Sequence, residues 1–202
     1  MINTTLYLAS ASPRRREILE TAGFSPVIIK AEADESEIEY IPGQPEMYVK
    51  NLSRLKNDGA LRDNPELKSG IILTADTVVV SNDMLPPLGK PKDHDDAVRM
   101  LRSLSARSHR VMTGVMLRDI ESGESTVFCQ STSVHFRCLS DEEIENYCAS
   151  PEPYDKAGGY GIQGKACIFV SAIEGDYFNV VGLPVCRVYE ELHSLYARIR
   201  QG

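Results

Sequence analysis

The sequence is short of positive charge. Against 29 aspartates and glutamates stand 22 lysines and arginines, a formal net charge of −7. That excludes a broadly basic surface for nucleic acid, so any anion must be met by a local pocket. Long apolar runs are also missing, and none approaches the roughly 20 residues that a bilayer-spanning helix needs. The opening MINTTLYLAS lacks a basic stretch and a long apolar one, so no signal peptide is read. Five cysteines (Cys129, Cys138, Cys148, Cys167, Cys186) are odd in number and form no C-x-x-C pair. Buried, reduced thiols in a cytoplasmic protein are the expectation. Four histidines (His94, His109, His135, His193) fall in unrelated contexts without metal-ligand spacing, and are read as structural or exposed. G-x-S-x-G, Walker A and dinucleotide fingerprints are absent, as are repeats, low-complexity tracts and linkers.

What remains is an ordinary globular composition, 42% hydrophobic and 25% charged over 202 residues, enough for one domain with a real core. TLYLAS reads as a buried strand, PRRREILETAG as a helix closed by Gly23, and SPVIIKA as a second strand. Ser12 is the expected N-cap, Pro13 the first helical position, and Ile18, Leu19 and Ala22 a buried stripe. Apolar spacing places a helix from Pro45 to about Lys56, with RDNPELKSG as a loop. GIILTADTVVVSND reads as a buried strand interrupted by polar residues, and HDDAVRMLRSLSAR as a helix with Asp95 and Asp96 suiting its dipole. Two β-rich runs follow, HRVMTGVMLRDIESGESTVF and QSTSVHFRCL, with ESGE suggesting the turn after the first. SDEEIENYCAS carries a capping-box pattern at Ser140 and Glu143. YDKAGGYGIQGKA is a glycine-rich loop, CIFVSAIEG a strand, and LPVCRVYEELHSLYARI the closing helix. The sum is one α/β unit, with room for two lobes and a cleft.

Chemistry concentrates in few places. Arg14, Arg15 and Arg16 sit where a helix begins, although that end already carries partial positive charge. An anion between the arginines and the free N–H groups of the turn removes the conflict, with Ser10 and Ser12 adding hydroxyl donors. A solvated basic turn partnered by Glu17 and Glu20 explains SPRRR equally well. In TADT, Asp76 lies in an apolar run, where an unpaired carboxylate costs several kcal/mol. It could hold a metal ion, take a proton from water, or simply cap a turn. Lys90 sits between a glycine and a proline, and Lys56 on the polar side of the second helix; alone, each reads as an exposed lysine. ADESE gathers Asp34, Glu35 and Glu37, suited to a hard divalent cation or to solvent. Among Gly158, Gly159, Gly161 and Gly164, Gln163 offers an amide matching the imide edge of uracil or thymine. Rotated, the same amide matches cytosine, and a tight loop with a surface glutamine is the plain alternative.

Together the pieces resemble the Maf family of nucleoside triphosphate pyrophosphatases. LASASPRRREIL is similar to its N-terminal signature, and LTADTVV, GKP, HRVMTGV, YDKAGGYGIQG and DYFNVVGLP match later motifs in order. The resemblance implies a single domain over residues 1–202, with a central mixed, twisted sheet flanked by helices. Two lobes would surround a deep cleft, as in Maf and ITPase-like proteins. It implies hydrolysis of a nucleotide between the α- and β-phosphates, a divalent metal (Mg²⁺, or Mn²⁺ or Co²⁺), a homodimer and a cytoplasmic place. By motif position Asp76 is the proton acceptor, with Lys56 and Lys90 beside it. Ser10, Arg14, Arg15, Thr77 and Gln163 would bind substrate, and Glu35 with Asp76 the metal. GIQG resembles the branch acting on dTTP and UTP, linked to nucleotide house-cleaning. The branch for 7-methyl-GTP, or a nucleotide-binding regulator of septum formation without catalysis, is the alternative. Two departures stand out: Ala11 where glycine is frequent, and Asp176, expected to add charge near the cleft, where serine is frequent.

Overall fold

The computed structural model describes residues 4–81 and 86–200. The elements run β1 (Leu6–Leu8), α1 (Pro13–Thr21), β2 (Val27–Ile28), α2 (Pro45–Asp63), β3 (Ile71–Ser81), α3 (His94–Leu104), β4 (Ser108–Asp119), β5 (Ser125–Phe136), α4 (Asp141–Cys148), β6 (Val170–Glu174), α5 (Tyr177–Val181) and α6 (Val185–Ile199). The six strands form one sheet in the order β2-β1-β3-β4-β5-β6. β1 is parallel to both its neighbours, and the rest of the sheet is antiparallel. The mixed sheet is that of an α/β protein with helices on its faces. No helix among the described residues is long and apolar enough to cross a membrane.

β3 is the central element and is buried along nearly its whole length. Its alternate side chains supply opposite faces. Ile71, Leu73 and Ala75 pack with Ile18 and Leu19 of α1 and Val188, Leu192 and Leu195 of α6. Further along the same face, Val79 joins a separate cluster built on α3, α4 and Phe169. Ile72 on the other face packs with Ala60 of α2, and Val78 and Val80 with Val49.

Local signals behave as chemistry requires. Gly23 (φ +85°) ends α1 in a paired closure, its N–H reaching Glu20 and that of Phe24 reaching Leu19. The Ser140–Glu143 capping box is fully formed. Several expectations need correction. α2 continues to Asp63, past Gly59, where the missing side chain gives room to the carbonyl of Glu32. The hairpin turn falls at ESGE, inside the first β-rich run, so β5 starts at Ser125. β2 is a two-residue exposed edge, Ala22 is exposed, and three cysteines (Cys138, Cys167, Cys186) are exposed while Cys148 is buried. Ser12 has the N-cap backbone but no capping side-chain bond; its N–H donates to Ser10 Oγ (3.2 Å). The first residues of CIFVSAIEG form a 3₁₀ turn, and α5 was not expected. Asp176 caps α5, accepting from the N–H groups of Phe178 (2.8 Å) and Asn179 (3.2 Å). The end of the β3 reading, at Asn82 and Asp83, lies outside the described residues.

Candidate active site

The site arises from a mismatch in strand length. β1 pairs with β3 only as far as Leu73, where the Ala9 N–H closes the ladder (3.0 Å), and the chain then turns into α1. β3 runs on to Ser81, and its free edge is next met at Val79 by the Leu88 N–H (2.7 Å). Between them the edge of a central strand is open. β1 also sends the chain to one side through α1 and β2, and to the other through α2 and β3. Such a switch point is where open α/β sheets place a ligand crevice. A cavity of about 650 Å³ lies here. The nine residues that the resemblance assigns to the site line it: Ser10, Arg14, Arg15, Glu35, Lys56, Asp76, Thr77, Lys90 and Gln163, whereas Arg16, Asp34 and Glu37 do not.

The three arginines take different positions. Arg16 faces away and pairs with Glu20 (2.7 Å). Arg14 borders the cavity and pairs with Asp155 (3.2 Å). Arg15 is tied into the protein. Its Nε donates to the Gly182 carbonyl (2.9 Å), its Nη1 to Ser10 Oγ (3.1 Å) and the Ala75 carbonyl (2.7 Å), and its Nη2 to Thr77 Oγ1 (3.2 Å). Four of the five guanidinium N–H groups are thereby engaged. Burial lowers its pKa from the usual arginine value, and the charge of Asp76 opposes that shift. The Ala75 carbonyl is one that a longer β1 would have met; Arg15 replaces the missing strand.

Asp76 and Thr77 are adjacent but face opposite sides of the sheet. Thr77 Oγ1 lies 2.9 Å from Thr113 Oγ1 and is held among Arg15, Thr113 and the end of α5. Asp76, 13% exposed, meets Lys56 of α2, whose Nζ donates to Oδ1. The same Nζ lies 2.9 Å from Glu35, which is half exposed. One ammonium thus bridges two carboxylates. α2 reaches this position because Gly114, cross-strand partner of Asp76, has no side chain; a Cβ there would collide with the Val49 carbonyl of α2. Thr74 and Asn57 hold the helix down, Thr74 Oγ1 donating to the Ser53 carbonyl (2.7 Å) and Asn57 Nδ2 to that of Ile72 (3.3 Å).

Lys90 is exposed at the cavity, in the segment that returns to β3 through Leu88. Gln163 is exposed and also lines the cavity. Next to it, Tyr160 lines the cavity and bonds buried His109 (2.7 Å). Burial pushes the His109 imidazole down to about 4, so it is neutral. Sequence reading passed over Asp155, Lys156, Tyr48 and Tyr160, all cavity-lining. Only the YDKAGG motif hinted at the first two. Asp176, expected to add charge near the cleft, is not among the lining residues; it caps α5, whose end does line the cavity.

Glu35 and Asp76 are the candidate metal donors. Mg²⁺ commonly takes one or two carboxylates, with waters and substrate phosphate oxygens completing its shell. The pair supplies that number of carboxylates, with Lys56 bridging one oxygen of each and the second oxygens left over, and no group of three or more His, Cys, Asp or Glu suited to a metal occurs among the described residues.

Residues 5–195 match the model described as Maf-like protein. A dTTP/UTP pyrophosphatase of Chromobacterium violaceum is 48% identical over 186 residues, covering 91% of this chain and 90% of that protein. One of Syntrophomonas wolfei is 46% identical over 183 residues, 90% and 93% of the two chains. A third, of a Geobacter species, is 44% identical over 198 residues and covers 98% of both. The motif order, the cavity those motifs converge on and the end-to-end match agree: this chain belongs to the Maf family.

Proposed function

We propose that this protein hydrolyses UTP and dTTP between the α- and β-phosphates, releasing the nucleoside monophosphate and pyrophosphate. One observation carries the reading: the basic turn and the Lys56–Asp76 pair, from separate parts of the chain, line a single cavity at the open edge of β3. The names of the three relatives point to the same substrates.

The phosphate chain is held by Arg14, Lys90 and Ser10, with Lys as a point charge and Arg as a directional fork. Arg15 keeps Ser10 and Thr77 in place and has one N–H left for the ligand. Asp76 Oδ1 is held by Lys56, which leaves Oδ2 to take a proton as water attacks the α-phosphorus. The bond from that phosphorus to the bridging oxygen breaks, and its electron pair leaves with pyrophosphate. A divalent cation, Mg²⁺ foremost, would be held by Glu35 and Asp76 and would supply neutralisation of charge on the leaving group. Gln163 reads the pyrimidine edge. Residues 1–202 act as one unit, two lobes around the cavity, in a cytoplasmic homodimer that removes unwanted pyrimidine nucleotides.

A panel of UTP, dTTP, CTP and 7-methyl-GTP, with and without Mg²⁺, tests the reading. Pyrophosphate from UTP and dTTP is expected. Orthophosphate instead would move the scissile bond; preference for 7-methyl-GTP would assign the other branch; no release from any nucleotide would leave the regulator. Asp76→Asn keeps the shape and removes the base, so turnover should fall by about 10²- to 10⁴-fold with the fold intact. Near-wild-type turnover would reject the role.

A further inference from the structure

Gln163 stands on a short turn whose two feet are held by one carboxylate. On the near side, the Gly161 N–H donates to Tyr147 Oη (3.2 Å), and Tyr147 Oη donates to Glu152 Oε1 (3.0 Å). On the far side, the Lys165 N–H donates to Glu152 Oε2 (3.1 Å). Within the turn, the Gly164 N–H closes on the Gly161 carbonyl (3.0 Å). The fit is tight: a Cβ at Gly164 would fall on the Glu152 carboxylate, and one at Gly161 would come 2.7 Å from Lys156 Cδ. Tyr147 is itself immobilised, buried in the α3–α4 cluster with its ring edge-on to Phe169 at 5.2 Å. Burial raises its pKa, so the hydroxyl keeps its proton and its donor role.

This matters because of what an amide cannot do alone. A primary amide turned by half a revolution exchanges donor for acceptor. A freely placed Gln163 therefore accepts a cytosine edge as readily as a uracil edge. Discrimination requires the glutamine and the surrounding backbone to meet the base at a fixed distance and pose, because a wrong base is rejected only by groups that cannot move to suit it. We propose that Glu152 and Tyr147 are positioning residues for base choice, fixing the turn that presents Gln163. This rests on the base-reading role given to Gln163 above. Neither residue is assigned contact with the nucleotide; both act through the turn.

The test compares kcat/KM for UTP with that for CTP in the wild type, Tyr147→Phe, Glu152→Gln, Gln163→Ala and the double variant Tyr147→Phe/Gln163→Ala. Tyr147→Phe keeps the ring and removes the link. Glu152→Gln keeps the shape of a half-buried side chain but leaves one acceptor where two are needed, and so stands in if the tyrosine variant fails to fold. Each single variant should lower the UTP/CTP ratio by about tenfold, the loss expected when a polar frame is released. The double variant should be no less selective than Gln163→Ala alone, because a residue acting through another has nothing left to act on. An extra, independent loss in the double variant would show a general structural role and overturn the proposal. So would an unchanged ratio in Tyr147→Phe and Glu152→Gln beside a lowered one in Gln163→Ala, with the base reading intact. An unchanged ratio in Gln163→Ala would remove both.

Discussion

Arg15 bonds Ser10, Ala75, Thr77 and Gly182 at once, and two of these flank Asp76 in β3. Its contribution is directional, since a point charge could not satisfy two carbonyls and two hydroxyls around one planar fork. Arg15→Lys preserves the charge and loses the fork. At least one buried carbonyl is then left without a donor, at about 1–3 kcal/mol. Catalysis should suffer more than binding: kcat is expected to fall by about 10²-fold, with KM changing less, because a small displacement of Asp76 spoils the attack geometry. Steady-state kinetics with urea denaturation check both; a change confined to KM would give Arg15 a direct phosphate contact instead. The run RRR pointed to a local anion site or a solvated basic turn, but not to the separate positions of its members. Successive helical residues point about 100° apart, so Arg14 faces the cavity, Arg15 the sheet edge and Arg16 the solvent. Which is which depends on where β1 stops, and three identical letters do not carry that.

The Lys56–Asp76 pair, proposed as catalytic, depends on how closely α2 lies on the sheet. Gly114 permits the approach, since its missing side chain lets the Val49 carbonyl sit where a Cβ would be. Because Gly114 is directly opposite Asp76, this close helix–sheet contact and the proposed catalytic carboxylate share one register position. Gly114→Ala removes a strand glycine, which elsewhere would help, but here the methyl meets backbone. We expect a loss of about 1–3 kcal/mol from overpacking and a fall in kcat as Lys56 is lifted from Asp76. Urea midpoints and turnover measure the two effects; a stabilised, fully active variant would contradict the contact. Elements with strong periodicity or caps were legible in the sequence, notably β3, α3, α4 and α6. The rest failed for physical reasons. The apolar spacing behind the Pro45 to Lys56 reading fades before the helix ends at Asp63, and Gly59 is there to give room to the Glu32 carbonyl crossing beside it. α5 is too short to show a period, and only its cap Asp176 marks it.

Across the whole molecule, the site unites residues far apart in sequence. Arg14, Lys56, Asp76 and Gln163 meet in one cavity only after the sheet assembles, which no local spacing encodes; the ordered motifs carried that information. The charge balance sets a further expectation. The chain is −7 overall, yet its proposed substrate is a polyanion, so attraction must be short-ranged and set by Arg14, Lys56, Lys90 and the proposed divalent cation. The Debye length is about 30 Å at 0.01 M salt and about 8 Å at 0.15 M. At low salt the whole acidic surface therefore reaches an approaching nucleotide and repels it; at 0.15 M that field is largely screened, while contacts inside the cavity persist. With Mg²⁺ held in excess, kcat/KM for UTP should stay level or rise by up to about twofold as KCl goes from 0.01 to 0.15 M. A fall of severalfold over that range would mean that long-range attraction brings the nucleotide in, and that the positive lining reaches well beyond the cavity mouth.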